Sequence, residues 1–182
     1  PLVGENRTLA YVGLQVINSN PRIGLHSILK NNDKKEFNIG DLIYYIAPRI
    51  NAAGRMDHAA LALELLLEKD LNKAEKLAEK IEKLNLKRRE IEKNITEQAL
   101  KKIANENNPR SNSTVVFENS WNKGVIGIVA SRIIEEHYKP TIVFCKSNDG
   151  NLTGSARSIK GIDLYEILEE CKTSILRFGG HK

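Results

Sequence analysis

LNKAEKLAEKIEKLNLKRREIEKNITEQALKKIANE, residues 71–106, contains neither glycine nor proline. Within it Leu71, Ala74, Leu77, Ala78, Ile81, Leu84, Ile91, Ile95, Ala99 and Ile103 recur at intervals of three and four, which puts them on one stripe of a single helix. At 1.5 Å per residue such a helix is about 54 Å long. A narrow apolar stripe flanked by Glu/Lys pairs one turn apart suits either a coiled-coil arm or a rod joining two lobes. Arg88 stands where a heptad needs an apolar side chain, and this favours the rod. Asn107-Asn108-Pro109-Arg110-Ser111-Asn112-Ser113 then ends the helix as a linker.

The sequence changes character on either side of this rod. Upstream, residues 7–18 carry Leu9, Val12, Gly13, Val16 and Ile17 on one helical face, with Asn6 as the expected N-cap, and Asn20-Pro21 ends that helix. A short helix over 22–30 is followed by the polar loop 31–35 and the apolar run 42–47, whose end Pro48 is expected to disturb by disfavouring a helical Ala47. From Asp57 a further helix, apolar around most of its girth at 60–67, is expected to be packed on two sides. Downstream, the pattern predicts buried strands at 114–117 and 141–145, a helix over 125–136 between them, a turn at 147–151, a strand at 152–159 paired with the preceding one, and a helix over 162–171 capped by Asp163 or Gly161. The fold class is α/β: a helical part, a long connecting helix and a small α/β lobe.

Composition narrows the class of protein more than it names it. Of 182 residues, 41% are hydrophobic and 28% charged, enough apolar surface for a core and far from disordered or collagenous composition. No apolar run approaches the ~20 residues that cross a bilayer, so no membrane role is expected. The net charge is +5, spread as a basic excess of one, two and two over residues 1–69, 70–108 and 109–182, so no basic arm dominates. Cys145 and Cys171 lie far apart with no ligand spacing, which fits a reducing cytoplasm. The first residue is Pro1 rather than Met, no secretory signal follows, and the other end stops just after a glycine pair; the chain is expected to be a piece of something longer.

Four stretches hold residues suited to chemistry. In Leu152-Thr153-Gly154-Ser155-Ala156-Arg157-Ser158, the period of two places Thr153, Ser155 and Arg157 on one face of a strand. A guanidinium beside a hydroxyl suits phosphate oxygens, although an exposed polar edge would read the same way. Trp121-Asn122-Lys123-Gly124-Val125-Ile126-Gly127-Ile128 runs from loop into helix, where backbone amides could cradle an anion; Gly127 is better suited to close helix–strand packing. Ala47-Pro48-Arg49-Ile50-Asn51-Ala52-Ala53-Gly54-Arg55 sets two arginines and an asparagine among small side chains, as cleft residues or as ordinary ion-pair partners. Gly179-Gly180-His181 frees the backbone next to an imidazole. Asp57-His58 offers too few ligands for a metal, and His26 and His137 sit in helical surface patterns.

Taken in this order, and with Gly4-Glu5-Asn6-Arg7, these motifs resemble those of the RecJ single-stranded-DNA exonucleases, a branch of the DHH/DHHA1 phosphoesterase superfamily, over essentially the whole chain. The resemblance implies that 1–69 is the C-terminal part of a DHH domain, 70–108 the connecting helix and linker, and 109–182 a DHHA1 domain truncated at its C-terminal end, with a nuclease site between the lobes. It also implies a parent enzyme that removes nucleotides from the 5′ end of single-stranded DNA in repair and recombination. That chemistry uses paired Mn2+ or Mg2+ ions, whose Asp and His ligands lie upstream of Pro1. No metal ligand is assigned within the chain, which alone is expected to be inactive, monomeric and cytoplasmic.

By the same resemblance Ser155, Arg157 and, more loosely, Ser158 belong to a pocket for the 5′-terminal phosphate. Arg49, Asn51 and Arg55 become cleft contacts, and Gly179, Gly180 and His181 lie near substrate phosphates, His181 as a substrate or active-site contact. The position after Trp121 is usually His in the family and is Asn122 here. Another DHH/DHHA1 phosphodiesterase acting on nanoRNA or cyclic dinucleotides, or a catalytically silent nucleic-acid-binding relative, fits the same motifs less closely.

Overall fold

The computed structural model describes residues 2–106, 111–147 and 149–180. The chain divides into two compact units, Pro1–Arg89 and Glu90–Lys182.

The first unit is all helical. It contains α1 (Glu5–Ser19), α2 (Ile23–Leu29), α3 (Ile39–Asp41), α4 (Ala47–Met56), α5 (Ala60–Leu67) and the first part of α6 (Leu71–Glu106). Its core joins Ile28 and Leu29, Ile46 and Ala53, Leu61, Ala62 and Leu65, and Ala74 and Ile81. α2 lies against α5 at Gly24, where a Cβ would stand 1.9 Å from the Leu65 carbonyl oxygen, so only glycine allows the backbones this close. The α3 start is held by a capping box. The Asn38 side chain accepts from the amides of Gly40 and Asp41, and the buried Asp41 carboxylate accepts from the Asn38 amide and pairs with Lys34.

Three expectations for this unit are corrected. α1 begins at Glu5 with Gly4 as N-cap (φ 55°), so Asn6 lies inside the helix, and Leu9, Val12 and Val16 on its apolar face are exposed. Ala47 is helical (φ −58°, ψ −40°) despite preceding Pro48, because the chain absorbs the proline through a π turn, Leu42–Ile46, in which the Ala47 amide reaches back to the Leu42 carbonyl. Pro48 then occupies the first turn of α4, where a missing N–H costs least. α5 buries Leu61, Ala62 and Leu65 on one side only and leaves Leu63 and Leu67 exposed.

α6 is one uninterrupted helix with the bounds its sequence predicts. Its later part belongs to the second unit together with β1 (Thr114–Glu118), α7 (Ile126–His137), β2 (Thr141–Lys146), β3 (Leu152–Arg157) and α8 (Leu164–Glu170). The sheet order is β1-β2-β3, with β1 parallel to β2 and β3 antiparallel to β2. α7 makes the crossover between the parallel pair and lies over β2 and β3. The strands are therefore half buried rather than fully buried: Thr114, Val116, Thr141, Val143 and Cys145 face α7, while Val115 and Phe117 are exposed on the other side.

The hairpin turn forms as predicted, with Gly150 at φ 85° and the Ser147 amide donating to Asn151 O. β3 stops at Arg157, two residues short of the expected end. α8 is capped by the Asp163 carboxylate, which accepts from the Tyr165 and Glu166 amides. Within this unit α7 is tied to α6 by Arg132, which pairs with the buried Glu92 at 3.2 Å and with Glu135 at 3.0 Å. These two carboxylates raise the guanidinium pKa above its ordinary value.

Candidate functional site

The period-two reading of β3 sets the site. The register pairs Cys145 with Thr153, Val143 with Ser155 and Thr141 with Arg157, so these three β3 residues share the face that α7 covers. On the opposite face a Cβ at Gly154 would stand 2.6 Å from the Phe144 ring, so the absent side chain makes room for an aromatic edge. On the α7 side the Ser155 hydroxyl and the Arg157 guanidinium converge on Gly127, in the first turn of α7. A Cβ there would lie 2.8 Å from Ser155 Oγ and 3.2 Å from Arg157 Nη2.

Two motifs far apart in sequence thus meet at one place. The first-turn amides of Ile126 and Ile128 already donate to Asn122 O and Val125 O, so the helix start contributes the positive end of its dipole rather than a row of free amides. Arg157 is exposed, donates from Nη1 to Ala156 O at 2.8 Å, and has no carboxylate partner among the described residues. A hydroxyl, a guanidinium and a helix start at one spot make a site that favours an anion, phosphate in particular.

The loop before α7 is held rigidly. Trp121 is buried and donates from Nε1 to Gln98 Oε1 at 2.8 Å. The Asn122 side chain accepts from the Gly124 amide at 2.8 Å, and its carbonyl accepts from Val125 and Ile126. Asn122 thus closes an Asx turn that leads into the helix. Lys102 donates to Phe117 O and pairs with Glu118 at 2.8 Å. Hydrogen bonding to Lys102 holds the Glu118 carboxyl below its ordinary value.

The remaining candidates are distributed as follows. Ser158 donates to Ile162 O at 2.7 Å, which commits its hydroxyl to the turn after β3. Gly179 and Gly180 are exposed with nothing packed on them, and His181 lies outside the described residues.

In the first unit Asn51 and Arg55 lie one turn apart on the exposed side of α4, opposite the buried Ala52 and Ala53. Arg49 projects elsewhere. Its guanidinium lies 3.7 Å over the Tyr45 ring, pairs with Glu82, and donates to Tyr45 O at 2.7 Å, lining a cavity of about 600 Å³ with those residues. The ion-pair reading of Arg49 therefore has direct support from its contacts.

No group of three or more His, Cys, Asp or Glu residues that could hold a metal ion occurs among the described residues. His58 is exposed and stands 3.9 Å from Asp57 alone, so the donor set does not fit a divalent pair. Sequence reasoning passed over Gly127 as a site residue. Its second position in the helix was the available signal, and the close packing inferred for it is packing against the two phosphate-suited side chains themselves.

Comparison with known proteins agrees with this architecture. Residues 110–182 match the DHHA1 domain. Over its full length the chain is similar to RecJ exonucleases. It is 38% identical over 184 residues to the single-stranded-DNA-specific exonuclease RecJ of Bacillus subtilis, covering all of this chain and 23% of that protein. Two structures of RecJ from Thermus thermophilus, in complex with Mg2+ and with Mn2+, superpose with TM-scores of 0.88 and 0.87 at 33% identity, covering the whole chain and 28% and 26% of theirs. The family resemblance of the motifs is thereby borne out. The chain spans about a quarter of the length of these relatives.

Proposed function

We propose that this chain is the substrate-holding portion of a single-stranded-DNA-specific exonuclease acting from the 5′ end in DNA repair and recombination, and that its DHHA1 domain grips the terminal phosphate. The observation that carries the reading is the convergence of Ser155 and Arg157 on the start of α7, with no carboxylate beside the guanidinium among the described residues. An arginine held by an acid would be a structural strut; this one is open to an anionic ligand. A terminal phosphomonoester carries more charge and more free oxygens than an internal diester, which suits the site to a strand end; the choice of the 5′ end rests on the resemblance to RecJ.

Asn51 and Arg55 serve as further contacts for the strand, and so do Gly179, Gly180 and His181. Residues 1–69 act as the end of a DHH domain, 70–108 as connecting helix and linker, and 109–182 as part of the DHHA1 domain. The parent enzyme works as a cytoplasmic monomer. Its divalent metals, Mg2+ or Mn2+ as in the relatives' structures, are held by residues outside this chain; no cluster of donors among the described residues fits them. The chain alone binds without cutting.

The test is the affinity of the chain for an oligonucleotide with and without a 5′-phosphate. Arg157→Ala should weaken binding of the phosphorylated strand by about 1.5–3 kcal/mol, the range for a charged hydrogen bond. It should leave the unphosphorylated strand nearly unaffected. Equal losses on both ends sink the reading.

A further inference from the structure

Lys123 is the one cation of the loop that opens α7, and the function proposed above does not use it. It is exposed and has no ion-pair partner among the described residues. Its backbone position is fixed on both sides: Trp121 is buried and anchored to Gln98, and the Asn122 side chain closes onto the Gly124 amide. Four residues further on, Gly127 touches Ser155 and Arg157.

Lys123 is carried by the loop that follows β1, whose last residue, Glu118, pairs with Cys145. The lysine's charge acts on the buried Cys145 thiol, partly opposing the burial that pushes that thiol's pKa up. Cys145 lies directly across from Thr153, which precedes Ser155 by two residues on the α7 face of β3. At about 3.3 Å of rise per strand residue, the Thr153 end is some 7 Å from Ser155. The loop that carries Lys123 therefore departs from the Thr153 end of the site, with Arg157 at the other end.

We propose that Lys123 binds an internal backbone phosphate of the single strand, next to the terminal one, and so tracks the strand away from its end rather than reading the end itself. This rests on the reading that Ser155 and Arg157 hold the terminal phosphate. The two cations divide the labour. Arg157 with Ser155 offers a forked, directional set of donors for a phosphomonoester, whereas the ammonium is a mobile point charge with no demand on geometry. A diester that must slide past during successive steps suits the second kind of contact.

The experiment measures binding of 5′-phosphorylated and 5′-hydroxyl oligothymidylate to the 182-residue chain by fluorescence anisotropy over a range of salt concentrations, for the parent sequence, Lys123→Met, Lys123→Arg and Arg157→Ala. One phosphate contact on a single strand contributes about 0.7 to the slope of log K against log salt. Lys123→Met should lower the slope by about that amount on both oligonucleotides and keep the preference for the phosphorylated one, and Lys123→Arg should restore the slope.

A preserved preference with an unchanged slope overturns the role of Lys123 alone. Loss of the preference in Lys123→Met also overturns it, by putting the ammonium on the terminal phosphate. Absence of any preference in the parent sequence, or its survival in Arg157→Ala, overturns the underlying reading instead.

Discussion

Gly127→Ala separates a packing role from a binding role at one position. The added methyl would lie 2.8 Å from Ser155 Oγ and 3.2 Å from Arg157 Nη2, but at an ordinary 3.6 Å from Ser155 Cβ. Both crowded atoms are ends of side chains that can turn away, so the backbone need not move. Alanine is favoured over glycine in a helix by up to about 1 kcal/mol, less in the first turn, and this offsets the cost of a new Ser155 rotamer.

Stability should thus change by less than about 1 kcal/mol, a shift of at most about 4–8 °C for a unit of this size. Binding should change far more. Displacing the hydroxyl and the guanidinium removes one or two charged hydrogen bonds at about 1.5–3 kcal/mol each, a loss of at least tenfold for a 5′-phosphorylated strand. The assay pairs a thermal melt with anisotropy on phosphorylated and unphosphorylated oligonucleotides. A large fall in melting temperature with unchanged preference for the phosphate would refute the argument, because the glycine would then serve packing alone.

Three further outcomes follow from the structure. Gly24→Ala brings a Cβ to 1.9 Å from a main-chain oxygen, which no rotamer change can relieve, so it should destabilise the first unit by upwards of about 3 kcal/mol in denaturant titration while leaving the second unit intact. Tyr138 ends α7 in the left-handed region (φ 47°, ψ 47°) with its ring exposed; Tyr138→Gly should stabilise the second unit by about 1 kcal/mol in the same assay. Glu118 has its pKa lowered chiefly by the hydrogen bond from Lys102, so its contribution to stability is present above the ordinary glutamate pKa and is lost as pH falls through the depressed value. The stability difference between the parent sequence and Lys102→Met should therefore shrink on acidification below about pH 4.5, the ordinary value; a difference independent of pH would count against that coupling.

The helices were legible where periodicity and punctuation agree. α6 has no breaker and a continuous stripe, and its bounds come out as read. Around 38–48 local rules conflict: Asn38 and Asp41 form a capping box three residues apart, yet the apolar run and Pro48 suggest an interruption. The chain resolves this with a π turn, a tertiary accommodation that no propensity scale registers. Likewise the apolar girth of 60–67 shows how many side chains could be buried, not how many neighbours arrive to bury them; one side of α5 is covered and Leu63 and Leu67 are left out.

The site divides along the same line. That Ser155 and Arg157 project together is a property of a strand's pleat and needs nothing but residue order. What covers that face is a different kind of information, because β3 could have turned either side toward α7. The registry Val143 with Ser155 fixes the choice: Val143 must be buried, α7 buries it, and Ser155 is carried to the same side. The phosphate-suited pair therefore reaches the helix start as a consequence of where a neighbouring valine has to go. Gly127 is then required by the close approach, since any larger residue would occupy the space between the helix and the two donors. A residue that looked like packing from sequence and one that looks like binding from structure are the same residue under one constraint, and a site of this kind is found by asking which glycine a functional side chain rests against.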